Sequence, residues 1–232
     1  MVFASLAFLY LFLPLVLGLH WLLPRPARNL FLLIASLGFY AFGEGGFVLV
    51  LVLYLMANHL IGKAIARAAV PAVRRLLLVA GILGNLLPLL YFKYARFLIS
   101  GVLGLGGEAS WLQGIHLPIG ISFFAFQGIS YLVDIWRRDV EPEPSLIGFG
   151  LYKAFFPQLI AGPVVRYRDV AHEVTQRSLA LSDAVEGCRR FAMGLAKKVL
   201  VADVVAPLAD SAFAQASPSP AVAWVGVVAY AL

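Results

Sequence analysis

Apolar runs separated by short polar or glycine-proline breaks set the pattern of this chain from end to end. Residues 3–23, FASLAFLYLFLPLVLGLHWLL, read as one helix in which Pro14 is a tolerated kink. Further runs cover 29–43, 47–62 and 76–99. A tight turn falls at Gly43–Gly46, and a basic loop from Lys63 to Arg75 is expected to include a short interfacial helix. Residues 100–116 read as a glycine-rich loop holding Glu108 and Trp111. Two later runs are more polar. Leu117–Trp136 carries Gln127, Ser130, Tyr131 and Asp134 at i, i+3, i+4 and i+7, on one helical face over about 10 Å. Ile147–Val165 carries Lys153 and Gln158, and Gly148, Gly150, Pro157, Gly162 and Pro163 predict a broken helix there.

Beyond these, Asp183–Val201 reads as an amphipathic helix. Ala184, Cys188, Phe191, Leu195 and Val199 share one face, and Arg189, Arg190, Lys197 and Lys198 fill much of the rest. Asp183 is expected to cap it, with Glu186 completing a capping box. A last apolar run opens near Ala221 and reaches Leu232 in roughly 12 residues, short of the ~20 that a span requires. That element is expected to be a stub or one cut short.

Composition turns these runs into a class. Of 232 residues, 62% are hydrophobic and 13% charged, against about 25% charged in soluble domains; mean hydropathy is +0.90. The expected fold is all-α, a single membrane domain built as a polytopic transmembrane helical bundle. A signal peptide would need a basic leading region and a small-residue cleavage site, and the first run has neither. The net charge of +6 fits topology signals and anionic headgroups of membrane lipid rather than nucleic acid. Cys188 is the single cysteine, which excludes an internal disulfide and any multi-cysteine metal site.

Charge also assigns sides. Arg25 and Arg28 lie in one loop, Lys63, Arg67, Arg74 and Arg75 in another, and Arg137 and Arg138 in a third, while 43–46 and 100–116 have no basic residue. The alternation predicts an N-terminus outside the cytoplasm; Lys93 and Arg96 run against it from a span end. If 147–165 crossed the membrane, Arg166, Arg168, Arg177, Arg189, Arg190, Lys197 and Lys198 would lie outside. A re-entrant hairpin keeps them inside, and the count favours it.

For the polar face of Leu117–Trp136 two readings stay open. One is the wall of a substrate tunnel. The other is helix–helix packing through interhelical hydrogen bonds, with Asp134 near the headgroups. Lys153 is either functional or snorkels from near the interface. His20, His59, His116 and His172 show no metal-ligand spacing and read as interface or loop residues, His59 alone approaching membrane depth. There is no P-loop, GxSxG elbow, dinucleotide fingerprint or zinc spacing.

Read together, the segments MVFASLAFLYLFLPLVLGLHWLL, RNLFLLIASLGFYAF, YFKYARF, LPIGISFFAFQGISYLVDIWRRD, FPQLIAGPVVRYRDV and EGCRRFAMGLAKKVLVAD resemble the membrane-bound O-acyltransferase family, in its bacterial alginate O-acetyltransferase branch. The resemblance runs through the whole chain. It implies a bacterial inner-membrane, multi-pass enzyme that transfers an acyl group, expected to be acetyl, to hydroxyls of an exported polysaccharide such as alginate. The donor would be acetyl-CoA or another acyl thioester, acting as substrate, with no bound cofactor and no metal. A periplasmic acetyltransferase or an acyl-carrier protein would be a partner.

The resemblance further implies that this is the N-terminal half of a longer domain, whose catalytic histidine would follow Leu232. No residue here is given a catalytic role. The expected tunnel-lining or substrate-binding residues are Gln127, Tyr131 and Asp134, from the helical face, and Gln158, Gly162, Pro163 and Arg166, from the match to the family's FPQLIAGPV-R pattern. Arg166 would meet an anionic donor. The rival classes are a non-catalytic scaffold and a transporter-like subunit. A transporter half would show an internal repeat, and residues 1–110 and 117–232 show no clear similarity.

Overall fold

Residues 5–95, 97–102, 114, 116–159, 162, 165–175, 177 and 180–231 are described by the computed structural model, apart from the side chains of Ser100 and Thr175. Arg96, Glu108, Trp111 and Pro163 lie outside the described residues. All regular elements among the described residues are helical. Two helical runs, Arg25–Arg67 and Pro71–Tyr94, are long and apolar enough to cross a membrane. The chain divides into two units, Tyr10–Arg177 and Val2–Leu9 with Ser178–Leu232.

In the first unit, α1 (Leu13–Leu22) continues directly from a π-helical turn, Phe8–Phe12, and Pro14 sits where the two join. The Arg28 guanidinium donates to the Leu23 carbonyl at 3.0 Å just past its end. α2 (Arg25–Glu44) buries Leu32, Ser36, Phe39 and Tyr40 along one stripe and ends at Gly45, whose φ of 56° admits glycine readily. A turn of 3-10 helix, Gly45–Phe47, leads into α3 (Val48–Arg67). There Leu51, Tyr54, Leu55, Asn58, His59, Gly62 and Ile65 are buried at the spacing of a single helical face.

α4 (Pro71–Leu89) continues as a π-helical turn, Leu90–Tyr94. Only residues 68–70 separate it from α3, so no interfacial helix lies between them. The reason is local: Lys63 and Arg67 extend α3, and Pro71, with Val70 extended before it, starts the next helix at once.

α5 (Ile121–Arg137) follows Gly120 and ends at Arg138, a left-handed residue with φ 66°. The Arg74 guanidinium closes that end by donating to the carbonyls of Ile135 at 3.0 Å and Trp136 at 2.6 Å. α3 and α4 pack on α5 through close approach: a Cβ at Gly81 would lie 2.5 Å from Leu132, and one at Gly62 would lie 2.9 Å from Tyr131.

The expected break in 147–165 is present. α6 (Leu146–Ala154) stops at Phe155, which is extended, and α7 (Phe156–Leu159) restarts with Pro157 in its first turn. α6 is wedged between α2 and α3, since the space beside Gly150 is bounded by Leu33 and Leu55. The Phe156 N–H donates to the Ser36 hydroxyl at 3.2 Å. From there the chain turns back: the Tyr152 hydroxyl donates to the Val165 carbonyl at 3.0 Å, and α8 (Tyr167–Thr175) packs on α6. The Asn29 amide of α2 donates to the Val174 carbonyl at 2.9 Å.

The second unit holds α9 (Leu181–Lys197), a π-helical turn Lys198–Ala202, α10 (Asp203–Phe213) and α11 (Pro220–Ala231). α10 and α11 pack together where Gly226 faces Ala212 and Phe213 meets Tyr230 with ring centroids 6.2 Å apart. α9 is amphipathic as expected, and none of its residues is buried. Its start is earlier than the expected Asp183 cap. The helix opens after Ala180, and Asp183, one turn in, accepts from the Ala180 N–H at 3.1 Å. Glu186, six residues past Ala180, is too far along to reach the cap and instead pairs with Arg189 and Arg190 at 2.7 Å each.

Candidate functional site

α3, α4, α5 and α6 converge on a buried polar cluster. Lys153 of α6 is 0% exposed, and Asn58 of α3 and Asn85 of α4 are buried beside it. Their approach depends on Gly128 of α5: a Cβ there would lie within 2.7 Å of the Lys153 Nζ and of both asparagine Oδ1 atoms. The two carboxamides bond each other reciprocally at 3.0 and 2.9 Å. Lys153 Nζ lies 5.6 Å from the Tyr54 ring centroid and 6.0 Å from that of Phe149. The Tyr54 hydroxyl donates to the Asn85 carbonyl at 2.8 Å. Snorkelling therefore does not describe Lys153: its amine points into the helix junction. His59 is also buried, with its ring 5.6 Å from Phe149.

A second cluster sits where the chain enters and leaves α6–α7. Glu143 is 2% exposed. Its carboxylate accepts from the Tyr167 hydroxyl at 2.5 Å and from the Ser145 N–H at 3.2 Å, while its own N–H donates to the Tyr131 hydroxyl at 3.1 Å. Burial first, then the bond to Glu143, raises the Tyr167 phenol well above its ordinary pKa, so it acts as a neutral donor. Tyr131, Tyr152 and Tyr167 pack ring to ring around it. A cavity of about 330 Å³ opens beside Glu143, lined by Val140, Glu141, Pro142, Pro144, Tyr167, Ala171 and His172. The Lys63 ammonium donates to the Pro144 carbonyl at its edge, at 2.8 Å.

The residues expected to line a tunnel separate into groups. Gln127 and Gln158 both donate to the Tyr152 carbonyl, the first at 3.4 Å. Tyr131, fully buried, packs on Phe149 with centroids 4.5 Å apart. These three meet at α6. Asp134, on the same face of α5, is buried, and its Oδ2 has no hydrogen-bond partner among the described residues. Gly162 is half-buried against its own segment, with Gln158 3.6 Å from a Cβ placed there. Arg166 is exposed, next to the Val165 carbonyl that Tyr152 holds.

Glu143, Asn58, Asn85 and Gly128 are among the residues that sequence reasoning passed over. An asparagine alone in an apolar run and a glutamate between two prolines were the available signals. At the other end of α2, the buried Glu44 carboxylate pairs with His116 at 2.9 Å, which places that histidine at an element end as expected. No cluster of His, Cys, Asp or Glu that could hold a metal occurs among the described residues.

The sequence aligns with known proteins over 99% of its length. Across that span it is 43% identical to the probable alginate O-acetylase AlgI of Azotobacter vinelandii, covering 47% of that protein. The similarity to the alginate O-acetylases runs through nearly the whole chain. The AlgI protein of Pseudomonas aeruginosa is 42% identical over 99% of this chain and 45% of its own length. The peptidoglycan O-acetyltransferase of Helicobacter pylori is 28% identical over 99% of this chain and 50% of its own. The chain thus spans about half the length of the curated relatives it matches. No family model matches it, and no solved structure does.

Proposed function

We propose that this chain is part of a membrane-bound O-acyltransferase that moves an acetyl group from a thioester donor to hydroxyls of an exported polysaccharide. The observation that carries the reading is the 43% identity over 99% of the chain to an alginate O-acetylase; the match to a peptidoglycan O-acetyltransferase supports a glycan acceptor. In the reaction the acceptor oxygen bonds to the acyl carbon, the carbon–sulfur bond breaks, and the acceptor proton ends on the released thiol. Acetyl-CoA or another acyl thioester supplies the group. Exposed Arg166, beside the return of the hairpin, is suited to an anionic donor. Gln127, Tyr131 and Gln158 would form the adjoining wall.

The same proposal extends to topology. The chain is a polytopic bundle of the bacterial inner membrane with its N-terminus periplasmic, and 147–165 is a re-entrant hairpin. Supporting this, Glu143 before the segment and Tyr167 after it are hydrogen-bonded to each other. Broken backbone is tolerated at membrane depth where protein surrounds it, and α6 is surrounded by α2, α3 and α5. α9, with its apolar face exposed, would lie along the membrane surface. Membrane lipid, the polysaccharide, and a periplasmic acetyltransferase or acyl-carrier protein are the proposed partners.

Deleting the gene in its native host and measuring ester-linked acetate on exported polysaccharide tests the reading. Loss of acetate, restored by the full-length gene, is the expected result. Unchanged acetylation with normal export would overturn it, and loss of export itself would favour a transporter role.

A further inference from the structure

The hydrogen-bonding capacity of the buried cluster at Gly128 can be followed atom by atom. One N–H of each asparagine goes to the other's Oδ1, at 3.0 and 2.9 Å. The remaining N–H of Asn58 goes to the Tyr54 carbonyl, and that of Asn85 to the Gly81 carbonyl, each at 2.7 Å. Every amide hydrogen is therefore used, which also fixes the end of each carboxamide that is oxygen. Each Oδ1 keeps one free lone pair. Lys153 Nζ is enclosed and makes no hydrogen bond among the described residues.

Distances connect these free valences. A point one carbon–carbon bond out from Gly128 lies 2.5 Å from Asn85 Oδ1 and 2.7 Å from both Asn58 Oδ1 and Lys153 Nζ. The amine is thus within two hydrogen-bond lengths of each carboxamide oxygen, yet bonded to neither. A single oxygen atom can bridge polar groups separated by up to that length.

We propose that Asn58, Asn85 and Lys153 form a buried one-water site over Gly128. The water accepts a hydrogen bond from the Lys153 amine and donates its two hydrogens to the free lone pairs of the asparagine oxygens. Three bonds to buried polar groups are what interior waters typically make. Other occupants fit less well. A cation would face the amine, and an anion would face two carboxamide oxygens. Gly128 is required because a Cβ there would lie within 2.7 Å of all three polar atoms and push them apart. The water couples α6 to α3 and α4. This site does not depend on the acyl-transfer reading.

The test is a structure of the full chain in lipid nanodiscs at a resolution that shows ordered waters, for the native protein and for Lys153→Met. One density peak within hydrogen-bond distance of Nζ and both Oδ1 atoms, lost in Lys153→Met, is expected. Lys153 bonded directly to an asparagine with no peak would overturn the site. So would a peak that touches only the asparagines or survives the substitution.

Discussion

The Tyr167 hydroxyl and the Glu143 carboxylate lie 2.5 Å apart, joining the loop before α6 to the residue that opens α8. Between them the chain runs inward along α2 and α3 and comes back. The bond holds that excursion closed at its base. It also gives a buried carboxylate a strong donor, which a membrane-embedded or packed acid needs. Tyr167→Phe is expected to lower stability by about 1.5–3 kcal/mol, the range for a hydrogen bond to a charged group. Thermal unfolding in detergent reads it out. Adding Glu143→Gln should recover part of the loss, and fully additive effects would argue against the contact.

Gly148 tests the same corner sterically. A Cβ there would lie 2.6 Å from Glu143 Oε1 and 3.3 Å from Val174, so Gly148→Ala should cost about 1–3 kcal/mol, as overpacking does. The control is Gly187→Ala in α9, where nothing lies within 4 Å. That substitution should be neutral or add up to about 1 kcal/mol, from helix propensity. Equal effects at the two sites would contradict the packing described for α6.

The asparagine pair predicts coupling. Asn58→Leu or Asn85→Leu alone leaves a buried amide short of partners and should cost about 1–3 kcal/mol. The double substitution should cost less than the sum, with a coupling of about 0.5–3 kcal/mol. A double-mutant cycle by chemical denaturation measures it.

Glu186 predicts a pH effect outside the apolar helices. Hydrogen bonds from Arg189, then Arg190, hold its carboxyl below the ordinary glutamate value. A depressed folded-state pKa contributes stability that is present above the unfolded value and is lost as pH falls through the folded one. Carbon-13 NMR of the glutamate side chains should find Glu186 titrating at lower pH than a free glutamate, and higher again in Arg189→Ala/Arg190→Ala. No movement on removing both arginines would exclude the pairs in solution.

Topology has its own readout. In a Cys188→Ser background, Glu141→Cys and Asp169→Cys should react with an impermeant thiol reagent from the same side of sealed vesicles. Reaction from opposite sides would show that 147–165 crosses.

Much of the fold was legible because helical periodicity repeats. The face Gln127, Tyr131, Asp134 follows from spacing alone, as does the break that Pro157 and its neighbouring glycines impose. Two things were hidden. The helix ends at Arg67 and Pro71 depend on how far basic residues continue a helix past its apolar stretch, and the hydrophobic pattern stops before they do. The setting of Lys153 depends on Asn58, Asn85 and Gly128, each from a different helix, and no local pattern reports such a meeting. Arg166 and Gly162, by contrast, came from a motif match, and the geometry gives them places without giving them roles.

The Gly128 cluster also orders events as the chain emerges. Asn58 and Asn85 belong to successive helices, so their reciprocal bonds can form as soon as α4 is made. Gly128 then supplies the space, and Lys153 arrives last, on a helix that must part α2 from α3 to reach its seat. A buried amine is the final piece to be enclosed, so the polar interior is completed from the asparagines outward and only when α6 is in register.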